Sequence, residues 1–259
     1  MMGCESSDRM QNSAKLVITG SSTLAPLVAD IGKRFESIHT GVRIDVQTGG
    51  SSRGLADVRQ GLADIGMMSR PLHATEQDVM SRPIARDGIS MIVHQSNPVQ
   101  ALRNEQIIKL YTGKIHNWKE VGGEDAPITV INKAEGRGTL LLFLTYFQLQ
   151  NIHIRAHVVV GDNEQGIKTV AGNPHSIAYV SIGTAEFDAN HGVPIKLLPI
   201  RDIPASLDNL QNGTFPLSRS LLFVTNFTST TLAKDFINFV QSAAVYDLIA
   251  QHYFVPISS

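Results

Sequence analysis

Lys15-Leu16-Val17-Ile18-Thr19-Gly20-Ser21-Ser22-Thr23-Leu24-Ala25-Pro26-Leu27-Val28 is the stretch on which the fold turns. Lys15 to Thr19 is a short apolar run rich in β-branched residues, the signature of a buried strand, and Gly20 ends it. Beyond the hydroxyl cluster, Leu24, Leu27, Val28, Ile31 and Phe35 recur at helical spacing and form one apolar stripe. Ser21, Ser22 and Thr23 are the expected N-cap. Pro26 fits the first turn, where its missing N–H has no intrahelical partner. Strand, Gly-Ser-Ser-Thr turn and helix together make the opening unit of an α/β protein.

The same grammar continues outward. Val42, Ile44 and Val46 alternate with Arg43, Asp45 and Gln47, which predicts a strand. Gly49-Gly50-Ser51-Ser52 turns the chain, and Leu55, Val58 and Leu62 mark the core side of a second helix. Ala63 to Met68 and Ile89 to Val93 read as further strands. The spacing then predicts a helix over 104–111, a strand over 128–131, a helix over 140–150 and a strand over 177–181. Leu221 to Val224 is a last strand, ahead of a helix carrying Leu232, Phe236, Ile237 and Val240. Strands alternating with helices predict a parallel or mixed sheet.

Three of the turns share a chemistry: Gly20 to Thr23, Gly49 to Ser52, and Glu135-Gly136-Arg137-Gly138-Thr139. A helix start carries N–H groups without intrahelical partners and the positive end of the helix dipole. Hydroxyls add donors, and glycine lets the backbone approach a ligand closely. Such loops bind anions without a net positive charge. Plain capping accounts for any single one, but three in one chain favour an anion site.

Composition narrows the classes. The 259 residues hold 22 Lys plus Arg against 23 Asp plus Glu, a net charge of −1, so there is no basic excess for a nucleic-acid backbone. With 42% hydrophobic and 17% charged residues, the composition is that of an ordinary globular protein with enough apolar material for real cores. No apolar run approaches a membrane span. One cysteine, Cys4, excludes an intrachain disulfide framework. Gly3-Cys4 before the polar run Glu5 to Arg9 reads either as the cleavage-and-lipidation point of a lipoprotein or as a chance cysteine in a dispensable start. Gly113-Lys114 lacks the rest of a nucleotide P-loop, and Gly136-Arg137-Gly138 is not a full dinucleotide fingerprint. There is no Gly-x-Ser-x-Gly elbow, and the nine histidines are scattered, His153 and His157 included. No cofactor, metal centre or catalytic group is expected from these residues.

Six segments, in order, resemble the phosphate-binding proteins of ABC-type uptake systems: Gly20 to Pro26, Gly49 to Ser52, Ala63 to Gly66, Tyr111 to Trp118, Glu135 to Thr139, and Phe215 to Arg219. The Tyr111–Trp118 segment is the most specific, because nothing in generic α/β packing requires it. The resemblance implies a two-lobed periplasmic-binding-protein-like fold of type II, each lobe a mixed sheet flanked by helices, with the ligand in the interlobe cleft. It implies a tether over 1–13, one lobe from 14–93 plus 217–259 and another from 94–216, with crossing strands near Ile92-Val93 and Leu217 to Leu221. The implied role is capture of inorganic phosphate outside the cytoplasm, on the periplasmic or extracellular face of the membrane. Delivery would be to ABC transporter permease subunits, by a monomer whose only membrane attachment would be lipid on Cys4.

Carried over residue by residue, Thr23 and the N–H of Leu24, beside Ser22, contact the ligand from the first helix start. Ser51, beside Ser52, does so from the second, and Gly138 and Thr139 from the other lobe. Asp64 is the implied discriminator, since a carboxylate accepts a hydrogen bond from hydrogen phosphate and repels unprotonated sulfate. The chain departs from the family at Lys133 and Arg137, where Arg and Ser are usual, so one of these two takes the cationic contact and a serine hydroxyl is lost. Alternatives stay open at this point. They are a receptor for arsenate, sulfate or molybdate, a phosphoester hydrolase, or a sensor using the same clamp.

Overall fold

The structure, a computed structural model, describes residues 14–257; Cys4 and the 1–13 tether lie outside the described residues. Lobe by lobe the chain follows the strand–turn–helix rhythm of its sequence. The first part runs β1 (Ala14–Gly20), α1 (Ala25–Ile38), β2 (Val42–Thr48), α2 (Ser51–Arg59), β3 (Ile65–Met68) and a long β4 (Met80–His94). The middle holds α3 (Asn104–Tyr111), β5 (Thr129–Lys133), α4 (Gly138–Phe147), β6 (Val158–Val160), α5 (Asn163–Gly172), β7 (Ser176–Ser181), α6 (Ile182–Asn190), β8 (Ile195–Leu197) and α7 (Leu207–Gln211). The chain then returns through β9 (Ser218–Thr225), α8 (Thr231–Val240), α9 (Tyr246–Gln251) and β10 (Val255–Pro256).

The strands join in one curled mixed sheet in the order β2-β1-β3-β9-β4-β7-β5-β6. β1 pairs in parallel with β2 and β3, and β5 in parallel with β6 and β7. Antiparallel β4 and β9 link the halves. Residues Met80 to Gly88 of β4 pair with β9, and Ile89 to Val93 pair with β7. The partner therefore changes between Gly88 and Ile89, several residues before the expected crossing at Ile92-Val93. At that point the Ile89 N–H donates to the Leu217 carbonyl at 3.0 Å.

Two cores carry the weight. The apolar stripe of α1 packs on β1, β3 and α8, where Phe35 meets Phe236 edge-on at 5.2 Å. In the other half Phe143 of α4 stacks on Tyr179 of β7 at 4.0 Å, and Trp118 is 1% exposed with its indole N–H donating to the His175 carbonyl. Such aromatic pairs add roughly 0.5–1.5 kcal/mol beyond the area they bury.

Two sequence expectations change, and one strand is longer than its apolar pattern. Leu62 is 63% exposed, because α2 ends at Arg59 and Gly61, at φ +69°, turns the chain away. α4 begins at Gly138 and stops at Phe147, where Gln148 enters the left-handed region. Residues 80–88 form strand despite Pro83, because the ladder takes a bulge between Pro83 and Ala85.

Candidate functional site

In both halves the parallel strands end on the same small cavity. β1 leads into Ser21-Ser22-Thr23, β2 into Gly50-Ser51, and β3 into Ser69; opposite them β5 ends at Lys133, ahead of Arg137-Gly138-Thr139, and β6 leads into Gly161-Asp162-Asn163. These residues close on a cavity of only about 10 Å³. That is far below the roughly 300–1,000 Å³ of sites for drug-sized ligands, and its place outside the carboxyl ends of the strands is where open α/β folds bind.

Three helix starts at the cavity lack a side-chain cap, as do α3 and α9 elsewhere, whereas α5, which also begins at the cavity, is capped by Asp162. α1, α2 and α4 all begin at the cavity, with Leu24, Gly50 and Arg137 as N-caps, and none has a side chain bonded to its first-turn N–H groups. By contrast α5, α6, α7 and α8 are each capped by a side chain, from Asp162, Ser181, Ser206 and Thr230. The expected capping by Ser21 to Thr23 is thus overturned. A backbone turn does that work, with the Ser21 carbonyl accepting from the Leu24 and Ala25 N–H groups, so the hydroxyls remain for the cavity. Gly50, at φ +95°, brings the second loop against the Gly136 carbonyl, which a Cβ there would meet at 2.8 Å.

The Ser21 hydroxyl and the Arg137 Nε are buried without a hydrogen-bond partner among the described residues. An unpaired buried donor carries a desolvation penalty of about 1–3 kcal/mol, so two beside one cavity mark it as built for an acceptor. Lys133 is buried, with its ammonium donating to the Asp162 carbonyl. Burial, opposed in part by Asp162 and helped by the nearby Arg219 and Arg137 charges, brings its pKa down to about 7. Beneath the cavity Arg219 and Asp87 form an ion pair at 2.6 Å with both side chains at 0% exposure. The halves are in contact around the cavity: Asn163 Nδ2 donates to Thr23 Oγ1 at 3.2 Å, and the Ser52 N–H to the Gly136 carbonyl at 3.2 Å.

The structure brings together Ser22, Thr23, Ser51, Lys133, Arg137, Gly138 and Thr139. Three expected residues fall outside. Leu24 is buried in the core, and its N–H is engaged by the Ser21 carbonyl at 3.2 Å. Ser52 is exposed on the rim. Asp64 stands at the amino end of β3, where its Oδ2 accepts the Val17 N–H at 2.8 Å. β1 and β3 are parallel and reach the cavity only at Ser21 and Ser69, so Asp64 is five residues away, roughly 16 Å. Sequence reasoning marked the loops that hold Ser21 and Gly50 as anion cradles without naming these two as contacts, and passed over Ser69, Gly161, Asp162 and Asn163 altogether. The rule that α/β ligands sit at strand carboxyl ends would have found Ser69 and Asp162, had β6 been legible.

A curled mixed sheet whose two halves aim their strand ends at one small polar cavity defines a clamp-type binding fold. The chain belongs to the PBP superfamily, whose domain it matches over residues 6–244. It is 26% identical over 253 residues to the phosphate-binding protein PstS of Bacillus subtilis, covering 95% of this chain and 82% of that one. A crystal structure with bound phosphate from Clostridium perfringens, described as a phosphate ABC transporter substrate-binding protein, superposes with a TM-score of 0.87 at 30% identity. That match covers 94% of this chain and all of that one. An ABC-type phosphate transport receptor from Vibrio cholerae gives a TM-score of 0.77 at 28% identity, over 93% of this chain and all of that one.

Proposed function

We propose that this chain is the extracytoplasmic receptor of an ABC-type uptake system, that it captures inorganic phosphate in the cavity between its halves, and that it performs no catalysis. The observation that carries this reading is the pair of partnerless buried donors, Ser21 Oγ and Arg137 Nε, beside three helix starts without side-chain caps at one small cavity. The match to phosphate-binding relatives along nearly the whole chain supports the choice of oxyanion.

In this reading Ser21, Ser22, Thr23, Ser51, Gly138 and Thr139 donate to the ligand, and Lys133 and Arg137 supply charge from one side. Asp64 has no part in it. The acceptor for a protonated ligand oxygen is Asp162, the one carboxylate among the lining residues. Its Oδ1 caps α5 by accepting the Gln165 N–H at 2.8 Å, and its Oδ2 has no hydrogen-bond partner among the described residues. The lobes of the clamp are 14–88 with 218 onward, and 89–217, turning about the β4 and β9 crossings. Membrane permease subunits would read the closed form, in which the ligand bridges both lobes.

Calorimetric titration of ligand-stripped protein with phosphate, and with sulfate as the paired control, tests the reading. One-to-one phosphate binding with no sulfate heat is the expected result. Binding of sulfate in preference overturns the ligand, and heat from neither overturns the receptor role.

A further inference from the structure

Arg219, on β9 beside the strand crossing, bonds to both halves. It pairs directly across the ladder with Asp87, one residue before β4 changes partner. Its Nε and Nη2 both donate to Asp87 Oδ2, at 3.0 and 2.6 Å. Its Nη1 donates in two directions: to the Ser69 carbonyl at the end of β3, and to Thr139 Oγ1 at the start of α4, each at 3.0 Å. Ser69 and Thr139 both line the cavity, one from each half, whereas Arg219 does not.

A guanidinium has donors only, so in the contact with Arg219 the Thr139 oxygen is the acceptor. No other hydrogen bond to that oxygen exists among the described residues, and its own proton is left to donate into the cavity. The planar fork holds three acceptors at fixed angles, which a lysine ammonium does not reproduce. The Asp87–Arg219 pair is too deep for solvent to reach and makes no contact with the cavity itself. Its strength is spent on orientation.

From this geometry we infer that Arg219 is a positioning residue of the oxyanion site: it sets the Thr139 hydroxyl as a donor and ties that hydroxyl to Ser69 when the cleft is closed. The inference rests on the oxyanion reading above. It adds a polarity that is fixed from behind the cavity and a link from the crossing strands to both of its walls.

The test is a double-mutant cycle on phosphate affinity, read by calorimetry on the full chain, with the melting temperature recorded for each variant. Thr139→Val and Arg219→Lys are each expected to weaken phosphate by about 10- to 100-fold, the range for a hydrogen bond to a charged group. The two together are expected to be no worse than the weaker single variant by more than about threefold, because one hydroxyl is lost only once. Thr139→Ser is expected to restore binding. Melting temperature, which reports the buried pair alone, is expected to fall with Arg219→Lys equally in both Thr139 backgrounds. Should Arg219→Lys fail to fold, Asp87→Asn with Arg219→Gln removes both charges together and enters the same cycle. Losses that multiply, or an unchanged affinity in Thr139→Val, overturn the positioning role while leaving the receptor intact. A wild-type protein that takes up no phosphate overturns the oxyanion reading and this inference with it.

Discussion

Lys133 and Asp162 show how single residues tune the cavity. In the closed arrangement burial brings the Lys133 pKa down to about 7. Its ammonium form attracts an anion and its neutral form does not, so a bound oxyanion raises its pKa and binding takes up a proton. Affinity is therefore expected to be level below pH 7 and to fall by up to about tenfold per unit above it, until the bound-state pKa is passed. Lys133→Met, uncharged at every pH, is expected to bind more weakly and to lose that slope. Titrations at pH 6, 7 and 8 on both proteins, where the ionisation of phosphate itself is common to the two, check this. Asp162→Asn keeps the cap of α5, since Asn caps as well as Asp, but replaces the acceptor oxygen with a donor. The margin by which phosphate outbinds sulfate is expected to shrink by at least about tenfold. An unchanged margin would remove Asp162 from the filter.

At the level of elements, the approach of α4 to α2 and the end of β3 sets how far the cleft closes. A Cβ on Gly138 would stand 2.6 Å from both Ser51 Oγ and Ser69 Oγ, on the opposite wall. Gly138→Ala is expected to weaken phosphate by about 5- to 150-fold, the cost of forcing one extra carbon into a packed contact. Its melting temperature should hold, since alanine suits a helix better than glycine and the open form has room for it. A matched fall in melting temperature would mean that the residue serves folding and not closure. The strands and helices that place this contact were legible wherever an apolar period was clean. β1 with α1, β2 with α2, and α8 all follow directly from such patterns. β6 with α5 was not, because Val158 to Val160 is only three residues and α5 carries two glycines, Glu and Lys on a short apolar stripe. The first half of β4 was hidden by Pro83 and by Arg82, Arg86 and Asp87. A buried charge reads as surface until its partner is seen, and the partner of Asp87 lies 132 residues on. The placement of Asp64 failed for a related reason. Sequence order fixes that a carboxylate begins a strand, while only strand direction tells which end faces the ligand.

For the whole molecule, closure is a change of shape that two solution measurements separate. Saturating phosphate is expected to lower the radius of gyration, by small-angle scattering, toward the roughly 18 Å of a compact chain of this length. The same addition is expected to leave the emission of Trp118 unchanged, since that indole is sealed in the core of the middle half and bonded to the His175 carbonyl, away from the cleft. A shift in emission without a change in radius would place the response in that core and not in the clamp. The order of the sheet also governs how the protein is made. β3 and β4 are not neighbours: β9 lies between them, and it emerges from the ribosome only after the whole stretch from Ile89 to Leu217 has been translated. That intervening stretch is continuous, its two ends already joined by one hydrogen bond, and it is free to fold as it appears. The earlier segment waits with an open slot in its sheet, exposed to strand pairing with other chains until β9 fills it. The half synthesised first is the half finished last.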